Sequence, residues 1–129
     1  MPLADTSFLV DLMRRDRGAL KRFTAFEEQG IALSTTAITA MELYKGAYVS
    51  GNSNNLVKVR TLMELFTLLP IDETIYEAFG RIAAGLCITG NPIGDFDEAI
   101  AAIALCNDGE IITRDRHFEK IPDLTIIKY

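Results

Sequence analysis

The sequence predicts an α/β fold, a three-layer α/β/α sandwich with a mostly parallel central sheet. Short apolar segments typical of buried strands alternate with longer segments in which apolar residues recur at helical spacing. Such alternation is typical of a parallel sheet covered by helices on both faces. The length of 129 residues, 49% of them apolar, suits one hydrophobic core. We therefore expect a single domain spanning residues 1–129.

The first half of the chain is predicted to contain two strands and three helices. Pro2 to Ala4 is a short apolar start, and the cap-type residues from Asp5 to Ser7 favour a helix through about Arg15. A second helix is predicted from Arg17 to Gln29, with Gly30 closing it. The elements expected next are a buried strand at 31–35, a helix at about 37–48 and a loop at 50–54.

The second half is predicted to add three helices and three strands. A helical stripe precedes a short strand at 67–71, and we expect the stripe to pack in the core; its residues are Leu56, Val59, Leu62, Met63 and Phe66. Asp72 or Thr74 is expected to cap the next helix, which ends near Gly90. Another helix follows Pro92 to Gly94, and strands are predicted at 110–113 and 124–128.

The charge balance argues mildly against non-specific binding of nucleic acid. The net charge is -5, whereas phosphate contacts usually come from Lys and Arg. A local basic cluster fits either a solvated helix face or a phosphate track; it consists of Arg14, Arg15, Arg17, Lys21 and Arg22. If several acids converge on a metal ion, the ion neutralises them, and the negative net charge is then compatible with binding a polyanion.

The sequence gives few signs of export or membrane insertion. No apolar run approaches the ~18 residues that a membrane helix needs. The N-terminus lacks a basic region followed by an apolar stretch, so we expect a cytoplasmic protein without membrane contact. Cys87 and Cys106 lie apart on apolar segments, and we expect two buried thiols rather than a disulfide.

Several acids fall where parallel strands end or helices begin. Asp5 directly follows the first strand, and Asp115 lies two residues after the strand that ends at Thr113. Glu42 and Asp97 lie in early turns of two helices. Because ligands of an open parallel sheet bind beyond the carboxyl ends of its strands, four distant carboxylates could meet at one edge.

Each acid also has a purely structural interpretation. Asp5 could be a helix N-cap, Asp115 an ordinary loop acid, and Glu42 the partner of Thr39 in a capping box or a solvent-facing residue. The D-x-x-E form of residues 95–98 favours Asp95 as the cap of its helix. Asp97 is then a first-turn acid, which the helix dipole favours without any function.

Four ordered stretches nevertheless resemble a known family. They are Leu3–Leu9, Ile38–Gly46, Pro92–Ala102 and Ile112–Asp115. Their arrangement closely resembles the PIN-domain nucleases, particularly the VapC toxins of prokaryotic toxin–antitoxin pairs, over nearly the whole chain. The resemblance implies an α/β/α sandwich that binds Mg²⁺ or Mn²⁺ and cleaves single-stranded RNA. It also implies a protein antitoxin that lays a C-terminal segment in a groove and brings an arginine to the acids, and a homodimer.

The resemblance assigns the catalytic and metal-binding roles to Asp5, Glu42, Asp97 and Asp115, with Ser7 as a supporting polar group. Asp95 departs from the family's usual pattern and is an extra ligand, a supporting acid or a helix cap. A housekeeping RNA-processing nuclease and a non-catalytic PIN-like binding module remain as alternatives, and the presence of all four acids counts against the second.

Carboxylates suit the chemistry that the resemblance implies. Hard cations such as Mg²⁺ choose oxygen ligands, and two ions about 4 Å apart can clamp an in-line displacement at phosphorus. His117 is the single histidine, and the cysteines are not paired in a motif, so a zinc site is not expected. His117 follows Asp115 closely and could contact phosphate, but a loop residue without a role is the favoured interpretation.

Overall fold

The computed structural model describes all residues from Met1 to Tyr129 and contains five parallel strands. The strands are β1 (Leu3–Ala4), β2 (Ser34–Thr36), β3 (Thr67–Leu69), β4 (Glu110–Ile112) and β5 (Thr125–Ile127). They form one sheet in the order β3-β2-β1-β4-β5. Leu3 of β1 pairs with Ser34 of β2 on one side and with Ile111 of β4 on the other.

Six α-helices connect the strands. They are α1 (Thr6–Met13), α2 (Arg17–Glu28), α3 (Ala37–Ser50), α4 (Ser53–Met63), α5 (Glu73–Ile88) and α6 (Asp95–Leu105), and a 3-10 helix follows β4 at Arg116–Lys120. The predicted fold class, an α/β/α sandwich with a parallel central sheet, is confirmed. No helix is both long and apolar enough to cross a bilayer.

Two hydrophobic clusters lie on opposite faces of the sheet. Leu3 and Ile111 belong to the cluster formed mainly with α5 and α6. Ala4 and Ile112, the next residues of the same strands, belong to the cluster formed with α1, α3 and α4. Successive side chains of a strand point to opposite faces, so β1 and β4 are buried on both sides.

The helical stripe on α4 packs in the core, as predicted. Val59 and Phe66 are buried, and Leu56, Leu62 and Met63 pack against the same cluster. Asp72 caps α5 by accepting hydrogen bonds from the backbone N–H groups of Thr74 and Ile75, which confirms one of the two predicted caps.

Several local predictions were wrong. Strand β2 begins at Ser34 rather than at residue 31, and α4 begins at Ser53 inside the predicted loop, where Asn52 accepts a hydrogen bond from the backbone of Asn54. The 3-10 helix was not predicted. Cys87 and Cys106 are exposed rather than buried; Cys87 lies in the last turn of α5, and Cys106 is the C-cap of α6.

The sheet order reverses beside β1. The chain adds β2 and β3 on one side of β1 and then returns to place β4 and β5 on the other side. The carboxyl ends of β1 and β4 therefore border a topological switch point, where α/β sheets bind ligands. Helix α6 leads into β4 and lies against it, so the helix runs antiparallel to the strands and its first turn reaches the same edge.

Candidate metal centre

Asp5 is a buried carboxylate at the end of β1. Its backbone N–H donates to the carbonyl of Ile112, and its side chain is 3% exposed. Oδ1 accepts hydrogen bonds from Ser7 Oγ at 2.7 Å and from the backbone N–H of Phe8 at 3.1 Å, while Oδ2 accepts one from Thr113 Oγ1 at 2.6 Å. Asp5 is thus the N-cap of α1, as one interpretation predicted, and it also faces the carboxyl edge of the sheet.

The environment of Asp5 alters its acidity in two directions. Burial raises the pKa of the Asp5 carboxyl above its ordinary value, and the hydrogen bonds from Thr113, Ser7 and Phe8 lower that pKa in part. The negative charge of Asp115 raises it further. These donors also fix the orientation of the carboxylate. Oδ2 accepts one hydrogen bond and Oδ1 accepts two, so Oδ2 has more lone-pair capacity left to bind a cation.

Glu42 is half-buried on α3 and faces α1. Thr6 Oγ1 donates a hydrogen bond to Glu42 Oε1 at 3.2 Å. The predicted capping box of Thr39 with Glu42 is wrong, because Thr36 is the N-cap of α3 and accepts a hydrogen bond from the backbone N–H of Thr39 at 3.0 Å. The first turn of α3 therefore starts three residues earlier than a cap at Thr39 requires, and Glu42 is free to point at Thr6.

Asp97 lies in the first turn of α6, and its helix is capped differently from the prediction. The N-cap is Gly94, whose φ of 104° is readily adopted only by glycine. Asp95 is the exposed first residue of the helix, so its predicted role as cap is wrong. The buried Glu98 accepts a hydrogen bond from the backbone N–H of Ile93 at 3.2 Å, one residue before the cap.

The other three acids change the pKa of Asp97. Partial burial and the charges of Asp115, Glu42 and Asp5, in decreasing order, raise the pKa of the Asp97 carboxyl from 3.8 to about 6, while His117 lowers it slightly. Like charges act in this way only over short distances. Asp115, Glu42 and Asp5 therefore lie near enough to Asp97 to affect its charge.

Asp115 and His117 form the open side of the cluster. Asp115 Oδ1 accepts a hydrogen bond from the backbone N–H of His117 at 2.9 Å, and His117 Nδ1 lies 3.1 Å from the same oxygen. One ligand atom from each of Asp97, Asp115 and His117 can lie within 4.8 Å of the others, as a shared cation requires. Asp5, Glu42 and Asp95 are not members of this group.

Three polar residues contact the acids but were not predicted to be part of the site. Thr113 Oγ1 donates to Asp5 and accepts from the backbone N–H of Asp115 at 2.9 Å, so it links two of the acids. Thr6 holds Glu42, and His117 contacts Asp115. The sequence signal for Thr113 was its position between a buried strand and an acid, where a hydroxyl can bond to the next turn.

Ser7, the predicted supporting residue, bonds to Asp5 and also connects it to the loop after β4. Its hydroxyl donates to Asp5, lies 3.2 Å from Thr113 Oγ1 and accepts from the backbone N–H of Arg114 at 3.2 Å. Ser7 therefore ties the start of α1 to the segment that carries Asp115.

Two cavities border the acids. The larger, of about 960 Å³, lies among α1 to α4 and is called the apolar groove; Thr6 and Glu42 line it together with Val10, Met13, Phe23, Leu43, Leu62 and Leu65. The smaller, of about 210 Å³, is called the basic recess and is lined by Thr113, Arg114, Asp115, Arg116, Glu119, Ile126, Lys128 and Tyr129.

The basic cluster predicted on α1 and α2 is solvated and divided. Its five residues, Arg14, Arg15, Arg17, Lys21 and Arg22, are all exposed. Arg14 and Arg15 also line the apolar groove, and Arg22 Nη2 donates to the backbone carbonyl of Lys128 at 2.8 Å. The cluster therefore does not form one continuous track.

Comparisons with known proteins agree with this architecture. The family model described as the PIN domain matches residues 3–124. The ribonuclease VapC1 of Haemophilus influenzae strain R2866 is 30% identical over 124 residues, which cover 95% of this chain and 92% of the relative. The solved structure of VapBC-1 from nontypeable Haemophilus influenzae superposes with a TM-score of 0.85 and 30% identity, covering 98% of this chain and 96% of that one. A toxin–antitoxin complex from Klebsiella pneumoniae gives a TM-score of 0.76 and 25% identity over 98% and 96% of the two chains.

Proposed function

This chain belongs to the PIN-domain family, and we propose that it is an endoribonuclease that uses Mg²⁺ or Mn²⁺ to hydrolyse RNA, as the toxin of a toxin–antitoxin pair. The observation that carries the proposal is the convergence of three carboxylates on Asp97, whose pKa they help to raise to about 6. In the absence of a cation such crowding destabilises the fold, and a divalent ion relieves it. The similar VapC1 protein, which is a ribonuclease, gives the substrate class.

The donor set fits a hard divalent cation. The four acids, Asp5, Glu42, Asp97 and Asp115, offer carboxylate oxygens, which Mg²⁺ and Mn²⁺ prefer. His117 lies at the edge of the set and already contacts Asp115. The ion is assigned to Asp97 and Asp115, whose ligand atoms lie within 4.8 Å of each other, with Asp5 and Glu42 as the other acids of the set.

The chain's own residues orient the site for hydrolysis. A divalent ion bound here supplies hydroxide near neutral pH and stabilises charge on the attacking and leaving oxygens. Ser7, Thr113 and the N–H of Phe8 hold Asp5 in one orientation, and Thr6 does the same for Glu42. The carboxylates thus need little reorganisation when substrate binds.

Cleavage of RNA by the purified protein tests this proposal. We expect cuts in total host RNA with Mg²⁺ or Mn²⁺, none with a chelator, and none for Asp97→Asn under either condition. Asp123→Asn is the matched control, because Asp123 is exposed and makes no side-chain hydrogen bond or ion pair. Cleavage that persists in the chelator would overturn the metal-dependent mechanism, and cleavage that Asp97→Asn retains would overturn the role of Asp97 as a ligand.

The apolar groove suits the antitoxin that the family resemblance implies. It is lined mostly by apolar side chains and reaches Thr6 and Glu42, so a partner helix lying in it ends beside the acids. Arg14 and Arg15 add positive charge along the same wall. An arginine of the partner can then bind carboxylates with matched geometry and displace the cation.

Co-expression with the product of the neighbouring gene tests the partnership. We expect a stable complex in which RNA cleavage is suppressed and restored when the partner is degraded. If no neighbouring product binds and the free protein leaves its host unharmed while still cutting RNA, the housekeeping nuclease becomes the better description.

We also propose that the protein forms a homodimer, as the family resemblance implies. Exposed apolar side chains on α3 and α5, Tyr48, Val49, Tyr76 and Ile88, provide surface that a second copy can cover. Light scattering at micromolar concentration should give twice the chain mass of 14.3 kDa, and the mass of a monomer would contradict the proposal.

A further inference from the structure

The basic recess borders the acidic cluster at Asp115, and Glu42 is not part of its lining. Thr113 and Asp115 form part of its wall, so any group bound there lies next to the metal centre. Arg114, Arg116 and Lys128 supply three positive charges; Glu119 and Asp115 lie in the same wall, and Asp11 pairs with Arg114 from behind it. The volume of about 210 Å³ is smaller than the ~300 Å³ at which sites for drug-sized ligands begin, and it suits one small charged group.

The Arg114 side chain is held by Asp11 but remains more than half exposed. Its Nη1 lies 3.2 Å from Oδ2 of Asp11, a side chain that is almost fully buried, while the Arg114 side chain is 57% exposed. The backbone N–H of Arg114 donates to Ser7 Oγ. A guanidinium has five N–H donors, and these contacts leave several of them directed towards solvent and the recess.

Asp11 and Tyr129 form the support behind Arg114. The Tyr129 hydroxyl donates a hydrogen bond of 2.7 Å to Asp11 Oδ2, the same oxygen that faces Arg114. The Tyr129 ring packs edge-on against Phe8, with ring centroids 4.9 Å apart. A buried carboxylate on α1 is costly unless it is paired, and here its two partners are residues of the recess.

Glu119 organises the remaining cations of the recess. Its carboxylate lies 3.3 Å from Lys128 Nζ and 3.8 Å from Arg116 Nε. One carboxylate shared by two cations leaves a positive excess at this position. A cation bound to Asp115 would remove the other negative charge of the wall, so the recess becomes more attractive to an anion when the centre is loaded.

From these contacts we propose that the basic recess is a phosphate subsite for the RNA strand, next to the phosphate that is cleaved. Arg114 binds the phosphate, Arg116 and Lys128 add to the field, and Asp11 and Tyr129 are positioning residues that fix the guanidinium. The proposal rests on the proposed ribonuclease function for the identity of its ligand. It explains how a chain with a net charge of -5 holds a polyanion beside four acids.

Binding measured without cleavage tests the subsite. In the Asp97→Asn background, with chelator present, the affinity for a fluorescently labelled single-stranded RNA is measured by anisotropy at several salt concentrations. We expect Arg114→Ala to weaken binding by about tenfold and to reduce the slope of log affinity against log salt by about 0.7, the value for one lost phosphate contact on a single strand. Arg60→Ala, an exposed arginine of α4 outside both cavities, should change neither quantity.

Further variants separate positioning from folding. Arg114→Lys keeps the charge but loses the fork geometry, so an intermediate affinity is expected. Asp11→Asn, checked for folding by its melting curve, should weaken RNA binding although it removes a negative charge. In the active protein, Arg114→Ala should raise KM more than it lowers kcat.

The outcomes distinguish this proposal from the proposed function. If the parent protein cleaves RNA with metal but Arg114→Ala binds and cleaves like the parent, the subsite is refuted and the nuclease stands. If no metal-dependent cleavage occurs but the parent binds RNA with the expected dependence on Arg114, the nuclease fails and the recess remains a phosphate site. A folded Asp11→Asn variant with unchanged affinity refutes the positioning role.

Discussion

The apolar groove and the basic recess border different members of the acidic cluster and are built from opposite chemistry. The groove is about 960 Å³ and is walled by the side chains of four helices, whereas the recess is about 210 Å³ and is formed by the loop after β4 and the end of the chain. The groove meets the acids at Glu42, and the recess meets them at Asp115. The proposed protein partner and the proposed RNA strand thus contact different acids of the cluster, so variants in one cavity should separate inhibition from substrate binding.

The largest effect is expected at the centre that the two cavities share. Asp97→Asn should lower cleavage by more than about 100-fold, because even residues that only support a metal ligand contribute 10- to 100-fold. Binding of RNA in the recess should persist in this variant. A rate within tenfold of the parent, measured with saturating Mn²⁺, would show that Asp97 is not a ligand.

The second largest effect is expected on antitoxin binding in the groove, without an effect on cleavage. Leu65 lines the groove and is 54% exposed, so Leu65→Glu should weaken antitoxin binding by about 30-fold or more while cleavage stays within about twofold. Leu68→Glu is the matched control, since Leu68 is 52% exposed on the edge strand β3 and outside the groove. Equal losses of affinity for both variants would place the partner elsewhere.

The effect of pH on the metal-free protein is smaller and comes from Asp97. Its pKa is about 6 in the fold and near 3.8 when unfolded, so the folded state binds the proton more tightly. Stability from this group is therefore fully present below about pH 4 and declines as pH rises through about 6. Asp97→Asn carries no charge at this position and does not lose this stability as the pH rises. Its melting temperature should be roughly 3 to 6 °C above that of the parent at pH 7.5, with a smaller difference at pH 5.

Thermal scans of both proteins, with and without Mg²⁺, check this prediction. The metal should stabilise the parent and have little effect on Asp97→Asn. A difference between the two proteins that is independent of pH would contradict the elevated pKa, since every other carboxylate is common to both.

The smallest effect is expected at the support of the recess. Tyr129→Phe removes one of the two partners of the buried Asp11 and should destabilise the fold by about 1 to 2 kcal/mol. Affinity for RNA should fall by only about two- to threefold, because Arg114 keeps its contact with Asp11. Urea unfolding and anisotropy give the two quantities; a larger loss of affinity than that of Arg114→Ala would assign the phosphate contact to Tyr129 instead.

The periodicity of the sequence predicted which helices and strands exist better than it predicted where they begin and end. The helical stripe on α4 and the cap at Asp72 depend on spacing and on one side chain, so they could be predicted without tertiary information. The boundaries of β2 depend on pairing with β1 and β3, and residues 31–33 are apolar but lie outside the ladder. The exposure of Cys87 and Cys106 depends on what packs around the ends of α5 and α6, which local sequence does not give.

The candidate site likewise has a part that the sequence predicted and a part that it could not predict. Asp5, Glu42, Asp97 and Asp115 could be chosen because each follows a predicted strand or begins a helix, although their role as ligands remains a prediction. The cap of α6 could not be chosen correctly, because Asp95 and Gly94 are both acceptable caps in sequence. Gly94 takes the position because the chain enters the helix at a φ of 104°, which disfavours aspartate.

The sequence by itself thus determined the alternation of strands and helices, the fold class and the acids at the sheet's edge, since these depend on local pattern and order along the chain. Only the tertiary structure decided that Thr113 connects Asp5 to Asp115 and that Tyr129 and Arg114 share the buried Asp11. Asp11 and Tyr129 are 118 positions apart, and no local signal relates residues at such a separation. Their contact exists because β1 and β5 both pair with β4 in the sheet, which places α1 beside the end of the chain.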